Sequence, residues 1–198
     1  MRVLPFGSGA VLAEYESLAE VMAVDDALRM SGLAGIEDIV PAARTVMVTF
    51  RQIDRSALGA LLVPAVAGPR PQGPIVEIPV VYDGVDLDEV AEATGLSIEQ
   101  VIETHSAEVY SAAFLGFTPG WAYLVGLPRP LQLPRRSTPR TSVAAGSVAI
   151  ANEFTGVYPT VSPGGWHLLG HTEERMFDVG RGKAALVMAG DRVRFVRT

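Results

Sequence analysis

The stretch from Gly116 to Arg140 constrains the fold of this chain most strongly, because five of its residues are proline and three are glycine. Each proline fixes φ and removes a backbone donor, which predicts that the stretch is neither a regular helix nor a central strand. It nevertheless carries aromatic side chains that need burial, among them Trp121 and Tyr123. A stiff, half-buried aromatic loop is typical of the wall of a ligand site.

Four arginines of the same stretch, Arg129, Arg135, Arg136 and Arg140, stand out in a chain with a net charge of −6. A local positive patch of this kind predicts an anion site. Arg135 and Arg140 each follow a proline, which restrains the backbone before the guanidinium. We therefore expect these two to hold one carboxylate or phosphate together. The alternative is a rigid surface loop with solvated arginines.

The composition, with 48% hydrophobic and 19% charged residues over 198 positions, predicts a packed core. The acidic balance argues against nucleic acid or an anionic membrane surface as a partner, and no apolar run is long enough for a membrane-spanning helix. The absence of cysteine excludes a thiolate nucleophile, a thiolate metal site and a disulfide. The N-terminus lacks the apolar segment of a signal peptide, so a cytoplasmic protein is expected.

The first sixty residues show the order strand, helix, strand, strand, helix, which suggests a ferredoxin-like domain at residues 1–66 whose final strand is not evident. Ser17 and Glu20 form a capping-box pattern before the first helix, Gly32 ends that helix, and Asp54 caps the second. The strands are expected at Val11–Tyr15, Ile36–Val40 and Thr45–Phe50.

Residues 63–74 concentrate proline and glycine and predict a linker, and residues 75–198 predict a second domain. That domain is expected to begin with a strand at Ile75–Tyr82, followed by two short helices capped by Asp86 and Ser97. Further strands are expected at Val109–Gly116, Ser147–Ala151, Trp166–Leu169, Ala184–Met188 and Arg192–Val196. Short strands separated by Gly/Pro turns predict a β-barrel or a sandwich.

The two helices of the second domain have the spacing of a DNA-binding helix-turn-helix. The helix that would enter the groove of DNA carries Glu99, Gln100 and Glu103 at its exposed positions and no basic residue. Carboxylates repel phosphates, so a structural helical hairpin beside a sheet is the favoured interpretation.

The three histidines are His105, His167 and His171. A zinc site made of all three is one interpretation, but the spacing implies no carboxylate to orient the rings, and we expect no metal. His105 ends a helix and is either a capping residue or a site residue. The turn Ser162–Trp166 contains two adjacent glycines, whose N–H groups either receive a carboxylate or belong to a plain turn.

Motifs of self-sufficient catalysis are missing from the sequence, which has neither a nucleophile elbow nor a phosphate-binding loop. Lys183 is the only lysine, so Schiff-base chemistry has one weak candidate. The residues alone therefore predict a two-domain protein with an anion-binding aromatic pocket and no catalytic apparatus of its own.

Four motifs in this order, GFTPGWAYLVGLP, LPRRSTPR, AAGSVAIANEFTGVYP and SPGGWHLLGHT, resemble the family of the 5-oxoprolinase B subunit. That family includes the sporulation kinase inhibitor KipI and proteins long called allophanate hydrolase subunit 1. The resemblance covers nearly the whole chain. It implies an α+β fold, with a ferredoxin-like N-terminal domain followed by a cyclophilin-like β-barrel domain.

The resemblance also implies one component of an ATP-dependent enzyme that hydrolyses 5-oxoproline to glutamate and that is inactive alone. The implied partners are a second cyclophilin-like protein (the 5-oxoprolinase C subunit) and a lactam-utilisation barrel protein (the A subunit). ATP with Mg would be bound in the assembled complex, not tightly by this chain. The alternatives are a regulatory protein that inhibits a sensor histidine kinase and a carboxyltransferase-like component of a urea or allophanate pathway.

The resemblance assigns no catalytic roles, but it places the family's pocket motifs on specific residues. These are His105, Tyr110, Phe117, Pro119, Gly120, Tyr123, Pro134, Arg135, Arg140, Ser162, Pro163, Gly164, Gly165, Trp166 and Thr172. Two positions depart from the family pattern, since His171 stands where Arg is frequent and Trp121 where Phe is usual. The first replaces a permanent cation by a titratable group.

Overall fold

A computed structural model describes residues 1–64 and 73–198 of the chain. The chain forms two compact units, Met1–Arg70 and Pro71–Thr198, and each has its own hydrophobic core. The predicted linker, residues 63–74, lies mostly outside the described residues. Among the described residues, no helix is both long and apolar enough to cross a bilayer.

The first unit is a four-stranded antiparallel sheet with two helices. Its elements are β1 (Arg2–Pro5), β2 (Ala10–Glu14), α1 (Leu18–Ser31), β3 (Ile36–Pro41), β4 (Thr45–Phe50) and α2 (Arg55–Leu61). The strand order β1-β2-β4-β3 places β4 between β2 and β3, as in a ferredoxin-like unit. The strand β1, which the sequence did not predict, pairs with β2 at the edge where the last strand of such a unit would lie.

The predicted ends of α1 are confirmed. The side chain of Ser17 accepts a hydrogen bond from the backbone N–H of Glu20 at 3.3 Å, and Gly32 ends the helix with φ 60°. The Glu20 carboxylate accepts from the backbone N–H of Glu16 at 2.8 Å, one residue before the expected partner. Local signals alone therefore fix this helix.

The second unit is built on a seven-stranded sheet. Its elements are β5 (Ile75–Val80), α3 (Leu87–Thr94), α4 (Ile98–Ser106), β6 (Val109–Leu115), β7 (Ala122–Val125), a 3-10 turn (Arg129–Leu131), β8 (Arg140–Val143), β9 (Ser147–Ala151), β10 (Phe154–Val157), β11 (Ser162–Gly164), β12 (His167–His171) and β13 (Arg192–Arg197). The strand order is β12-β9-β10-β7-β6-β13-β5, while β8 and β11 pair separately. This arrangement confirms the α+β class.

The two edges of this sheet meet and nearly close it into a barrel. Val81, which follows β5, and His171 in β12 exchange two backbone hydrogen bonds of 2.9 Å. A Cβ on Gly170 would lie 2.2 Å from the carbonyl oxygen of Val81, so this close approach requires glycine. The interior is filled by large apolar side chains, including Leu124, Ile150 and Phe195.

Two predicted features of the second unit are wrong. The stretch Gly116–Arg140 does contain a central strand, because β7 lies between β10 and β6. Residues 121–125 contain no proline, so they can form a strand, and Gly120 and Gly126 lie just outside it. The strand expected at Ala184–Met188 is reduced to one bridge between Ala185 and Phe177, because its backbone pairs with residues 176–178 through only two hydrogen bonds, Asp178 N–H to the Ala184 carbonyl oxygen and Leu186 N–H to that of Met176.

Candidate functional site

The second unit contains a small cavity, here called the aromatic pocket, of about 70 Å³ beside β7. It is lined by Phe117, Trp121, Tyr123, Arg135, Tyr158, Pro163, Gly164, Gly165 and Trp166. The Trp121 ring lies between other aromatic walls. The rings of Tyr158 and Trp166 are nearly perpendicular to it, with centroids 4.7 and 4.9 Å from its own. Edge-to-face packing of this kind fixes the walls.

Separate parts of the barrel bring these walls together. Trp121 immediately precedes β7 and Tyr123 lies within it. Tyr158 follows β10, and Gly164 ends β11. A Cβ on Gly164 would lie 2.1 Å from the Tyr158 hydroxyl oxygen, so only glycine lets β11 approach this wall.

The polar side-chain groups of the aromatic pocket are one guanidinium, the indole N–H groups of two tryptophans and two tyrosine hydroxyls. The Arg135 side chain lines the cavity, and its charge opposes the rise in the pKa of Tyr123 and Tyr158 that burial causes. Trp121 is 2% exposed, and its indole Nε1 is buried without a hydrogen-bond partner among the described residues. No carboxylate is among the lining residues, so the cavity suits an anion.

Phe117 lies at the opening of the aromatic pocket, and its backbone is strained. Its φ is 65°, a left-handed conformation that a bulky residue adopts rarely, and 65% of its surface is exposed. Its ring packs edge-on against Trp121 at 5.7 Å. Strain and exposure in one aromatic residue are typical of ligand-contacting positions.

Phe117 also forms part of a larger outer groove of about 900 Å³. The groove runs between residues 115–120 and residues 177–191, and its lining is mostly apolar. It is lined by Leu115, Gly116, Phe117, Thr118, Pro119, Gly120, Phe177, Lys183, Ala184, Ala185, Met188, Ala189 and Asp191. The aromatic pocket and the outer groove therefore share the Phe117 side chain as a wall.

An ionic cluster of Asp86, Glu89, Arg136 and Arg140 lies next to the aromatic pocket in the fold. The Asp86 carboxylate is almost fully buried and accepts hydrogen bonds from Arg136 Nη1 at 3.0 Å and Arg140 Nη2 at 2.6 Å. Its second oxygen accepts from the backbone N–H of Leu168 at 2.8 Å, and Arg136 also binds Glu89. Burial alone would raise the pKa of Asp86, but these hydrogen bonds and arginine charges outweigh it and lower the pKa.

This cluster corrects the expected role of Asp86. The residue precedes α3, but its side chain makes no capping hydrogen bond. Two arginines that lie 50 and 54 residues further along the chain attract its carboxylate instead. The second predicted cap is confirmed, since Ser97 and Gln100 form a complete capping box on α4.

The ionic cluster holds one wall of the aromatic pocket in place. Arg136 is tied to Asp86 through its side chain, and its backbone N–H donates to the carbonyl oxygen of Gly165 at 2.8 Å. The ionic cluster fixes Arg136. Two residues that line the pocket are linked to Arg136: Arg135 precedes it in the chain, and Gly165 accepts its hydrogen bond.

The family model of the carboxyltransferase domain, subdomains C and D, matches residues 1–187. The chain belongs to this family. It is also 42% identical over 178 residues to the B subunit of 5-oxoprolinase from Escherichia coli O157:H7, covering 86% of this chain and 82% of that protein. The resemblance stated from the sequence motifs is thereby confirmed.

Solved structures extend the likeness to the fold. The crystal structure of TTHA0988 is 36% identical with a TM-score of 0.79, and the match covers 96% of this chain but 40% of that one. A conserved uncharacterized protein from Pyrococcus horikoshii, PH0987, is 32% identical with a TM-score of 0.60, covering 100% of this chain and 97% of that one. The chain therefore spans most of some relatives and less than half of another.

The predicted site residues fall into three groups in the structure. The aromatic pocket collects Phe117, Tyr123, Arg135, Pro163, Gly164, Gly165 and Trp166, and the outer groove collects Phe117, Pro119 and Gly120. Neither is lined by His105, Tyr110, Pro134, Arg140, Ser162 or Thr172. Two residues that line the aromatic pocket, Trp121 and Tyr158, were not among those assigned from the resemblance, although Trp121 belongs to the aromatic loop that was expected to form a wall.

His105 and Tyr110 lie together in the barrel core. The His105 ring is 0% exposed, stacks on Phe195 at 4.7 Å, and hydrogen-bonds the hydroxyls of Tyr82 at 2.8 Å and Thr155 at 2.9 Å. The Tyr110 hydroxyl donates to the His105 carbonyl oxygen at 2.7 Å. Burial lowers the pKa of His105 to about 3, so this ring is a neutral, fully satisfied core group.

The histidines do not converge on one point. His167 Nε2 contacts the Pro134 carbonyl oxygen at 2.9 Å, while His171 Nδ1 contacts Asp83 at 2.8 Å. A bulge in β12 breaks the alternation that would put both rings on one face. Among the described residues, no group of three or more candidate ligands is placed to hold a metal ion.

Proposed function

We propose that this chain is the B subunit of an ATP-dependent 5-oxoprolinase and that the aromatic pocket binds 5-oxoproline. The observation that carries the proposal is the 42% identity to the 5-oxoprolinase B subunit of Escherichia coli O157:H7 over most of both chains. The geometry supports it, because the pocket combines an arginine with donors and no carboxylate, which suits an anionic substrate.

The chemistry needs more than this pocket supplies. A lactam amide is a poor electrophile, and phosphorylation of its oxygen at the expense of ATP makes its carbon open to attack by water. The residues that line the aromatic pocket include no carboxylate and no imidazole, the usual general bases. The B subunit accordingly binds and positions substrate, and groups on its partner proteins activate the water.

The partners in this proposal are a second cyclophilin-like protein (the C subunit) and a lactam-utilisation barrel protein (the A subunit). ATP and Mg are bound in the assembled cytoplasmic complex, where partner groups complete the nucleotide site. The TTHA0988 chain, of which this chain covers 40%, fits a B subunit that works beside further structure.

Omission of single components tests the proposal. The three purified proteins are mixed with 5-oxoproline, ATP and Mg, and glutamate release is measured with each protein left out in turn. We expect turnover only when this chain is present. Full turnover without it contradicts the proposal, and inhibition of a sensor histidine kinase by the chain alone would favour the regulatory alternative.

A further inference from the structure

The indole N–H of Trp121 is a donor that the folded chain leaves unused. Trp121 lines the aromatic pocket and is 2% exposed, and its Nε1 has no hydrogen-bond partner among the described residues. A buried donor without a partner loses about 1–3 kcal/mol relative to a satisfied one. A ligand that supplies an acceptor removes this loss, so the unpaired N–H indicates a binding role for Trp121.

Arg135 is the lining residue that adds a full positive charge. Unlike Arg136 and Arg140, it is outside the ionic cluster, and its exposed side chain lines the cavity. An indole N–H and a guanidinium, with no carboxylate in the lining, define a site for one anionic group.

The size of the cavity limits what can enter it. Its volume of about 70 Å³ exceeds the roughly 10–15 Å³ that a single water needs, so it admits a small polar group. A carboxylate of three heavy atoms fits this space. The walls are rings packed edge to face, which fixes their positions, so a carboxylate of three heavy atoms suits the small pocket better than a phosphate of five.

We propose that the aromatic pocket is a carboxylate subsite in which Trp121 Nε1 and the Arg135 guanidinium each donate a hydrogen bond to the bound group. The remainder of the ligand lies outside, against the exposed Phe117 ring and towards the outer groove. Trp121 is thus a binding residue, whereas Arg140, whose Nη2 is held by Asp86, does not line the pocket. Only the identity of the ligand as 5-oxoproline rests on the proposed function.

The two tryptophans of the chain, Trp121 and Trp166, both line the pocket, so their indole N–H resonances report on it directly. The ¹⁵N-labelled full chain is titrated with acetate, 5-oxoproline, inorganic phosphate and neutral 2-pyrrolidinone. We expect the Trp121 indole proton to move downfield and saturate with acetate and 5-oxoproline. Pyrrolidinone and phosphate should cause a smaller change.

Two variants test the donors. Trp121→Phe keeps a ring but removes the N–H, and Arg135→Gln removes the charge. Each should weaken acetate binding, followed on the backbone signals of Gly164 and Gly165, by roughly tenfold. Arg129→Gln is the matched control for the loss of charge, because Arg129 is exposed and lines neither the aromatic pocket nor the outer groove, and it should change the affinity by less than about twofold.

Three results overturn the inference: no saturable response to any anion, tighter binding of phosphate than of acetate, or unchanged affinity in Trp121→Phe. The reconstituted enzyme separates this failure from that of the proposed function. Turnover with an unchanged KM in Trp121→Phe defeats the inference alone. Acetate binding as described, without glutamate release by any complex that contains the chain, defeats the function alone.

Discussion

Arg135 and Arg136 are neighbours in the chain, yet they belong to two different regions of the second unit. Arg135 lines the aromatic pocket, where the Trp121 indole N–H is buried and unpaired among the described residues. Arg136 belongs to the ionic cluster, where both oxygens of Asp86 are hydrogen-bonded. In the aromatic pocket an arginine and an unpaired indole N–H face a cavity without a carboxylate. In the ionic cluster both oxygens of Asp86 are hydrogen-bonded, although Arg136 Nε and Arg140 Nη1 have no hydrogen-bond partner among the described residues.

The two regions separate binding from stability in a polar site. Removing a buried carboxylate whose oxygens are both hydrogen-bonded leaves its donors without an acceptor, so such a carboxylate matters first for stability. A pocket with an unpaired donor and a cation is incomplete until an acceptor arrives. Mutations in the ionic cluster should therefore change the unfolding free energy, and mutations in the aromatic pocket should change substrate binding.

The largest expected effect comes from Asp86→Ala. Removal of the carboxylate leaves the N–H of Leu168 and two partly buried guanidiniums without their shared acceptor, which should lower the unfolding free energy by about 3 kcal/mol. Urea unfolding measures this. The matched control is Glu77→Ala, which breaks the exposed ion pair with Arg194 and should lower the unfolding free energy by less than about 1 kcal/mol.

Comparable losses of stability in Asp86→Ala and Glu77→Ala would contradict the stabilising role of the ionic cluster. A loss of substrate binding without a loss of stability would do the same, because it would place the ionic cluster among the ligand contacts.

His105 provides a second satisfied region, and its effect on stability depends on pH. Its folded pKa of about 3 lies below the unfolded value of about 6.5. Between these values the unfolded chain binds a proton that the folded chain does not. Stability should therefore fall as pH falls, by at most about 1.4 kcal/mol per pH unit.

His105→Gln cannot titrate, so its stability should decline less steeply than that of the parent chain between pH 6.5 and 4. The lowered pKa of Asp86 does not affect this comparison, because its contribution to the pH dependence is the same in the parent chain and in His105→Gln. Urea unfolding at several pH values checks the slope. An identical slope in the parent chain and in His105→Gln would show that the ring is protonated in the folded state.

The smallest effect is expected for Arg129→Ala. Arg129 also follows a proline, but it is exposed and lines neither the aromatic pocket nor the outer groove. We expect a change within about 0.5 kcal/mol in unfolding free energy and no change in KM. A clear rise in KM would extend the anion site beyond the boundary drawn around Arg135.

Sequence patterns predicted those parts of the fold that local signals determine. Ser17 and Gly32 fix both ends of α1, and Ser97 with Gln100 fixes the start of α4. The strand β7 was missed, because five prolines in one stretch were taken to act on all of it. Their spacing leaves residues 121–125 free to pair on both sides.

The site was predicted in part, for a physical reason. Gly164, Gly165 and Trp166 were found because a Gly-Gly turn before an aromatic residue is a local pattern. The pairing of Arg140 with Asp86 is a contact across 54 residues, and the Pro-Arg repeat suggested Arg135 as its partner instead. Trp121 was expected in the aromatic wall of a ligand site, but its role as a donor was not predicted, since nothing in a sequence shows that an indole N–H will be buried unpaired.

Arg135 and Arg140 belong to one sequence repeat but differ in role, since the first binds substrate and the second stabilises the fold. The most direct test therefore measures both quantities on the same two variants. Arg135→Ala and Arg140→Ala are compared in the reconstituted complex for kcat/KM and in the isolated chain for unfolding free energy. We predict that Arg135→Ala lowers kcat/KM by roughly tenfold with stability kept, while Arg140→Ala loses about 2 kcal/mol of stability. Equal losses of kcat/KM at unchanged stability in both variants would contradict the account.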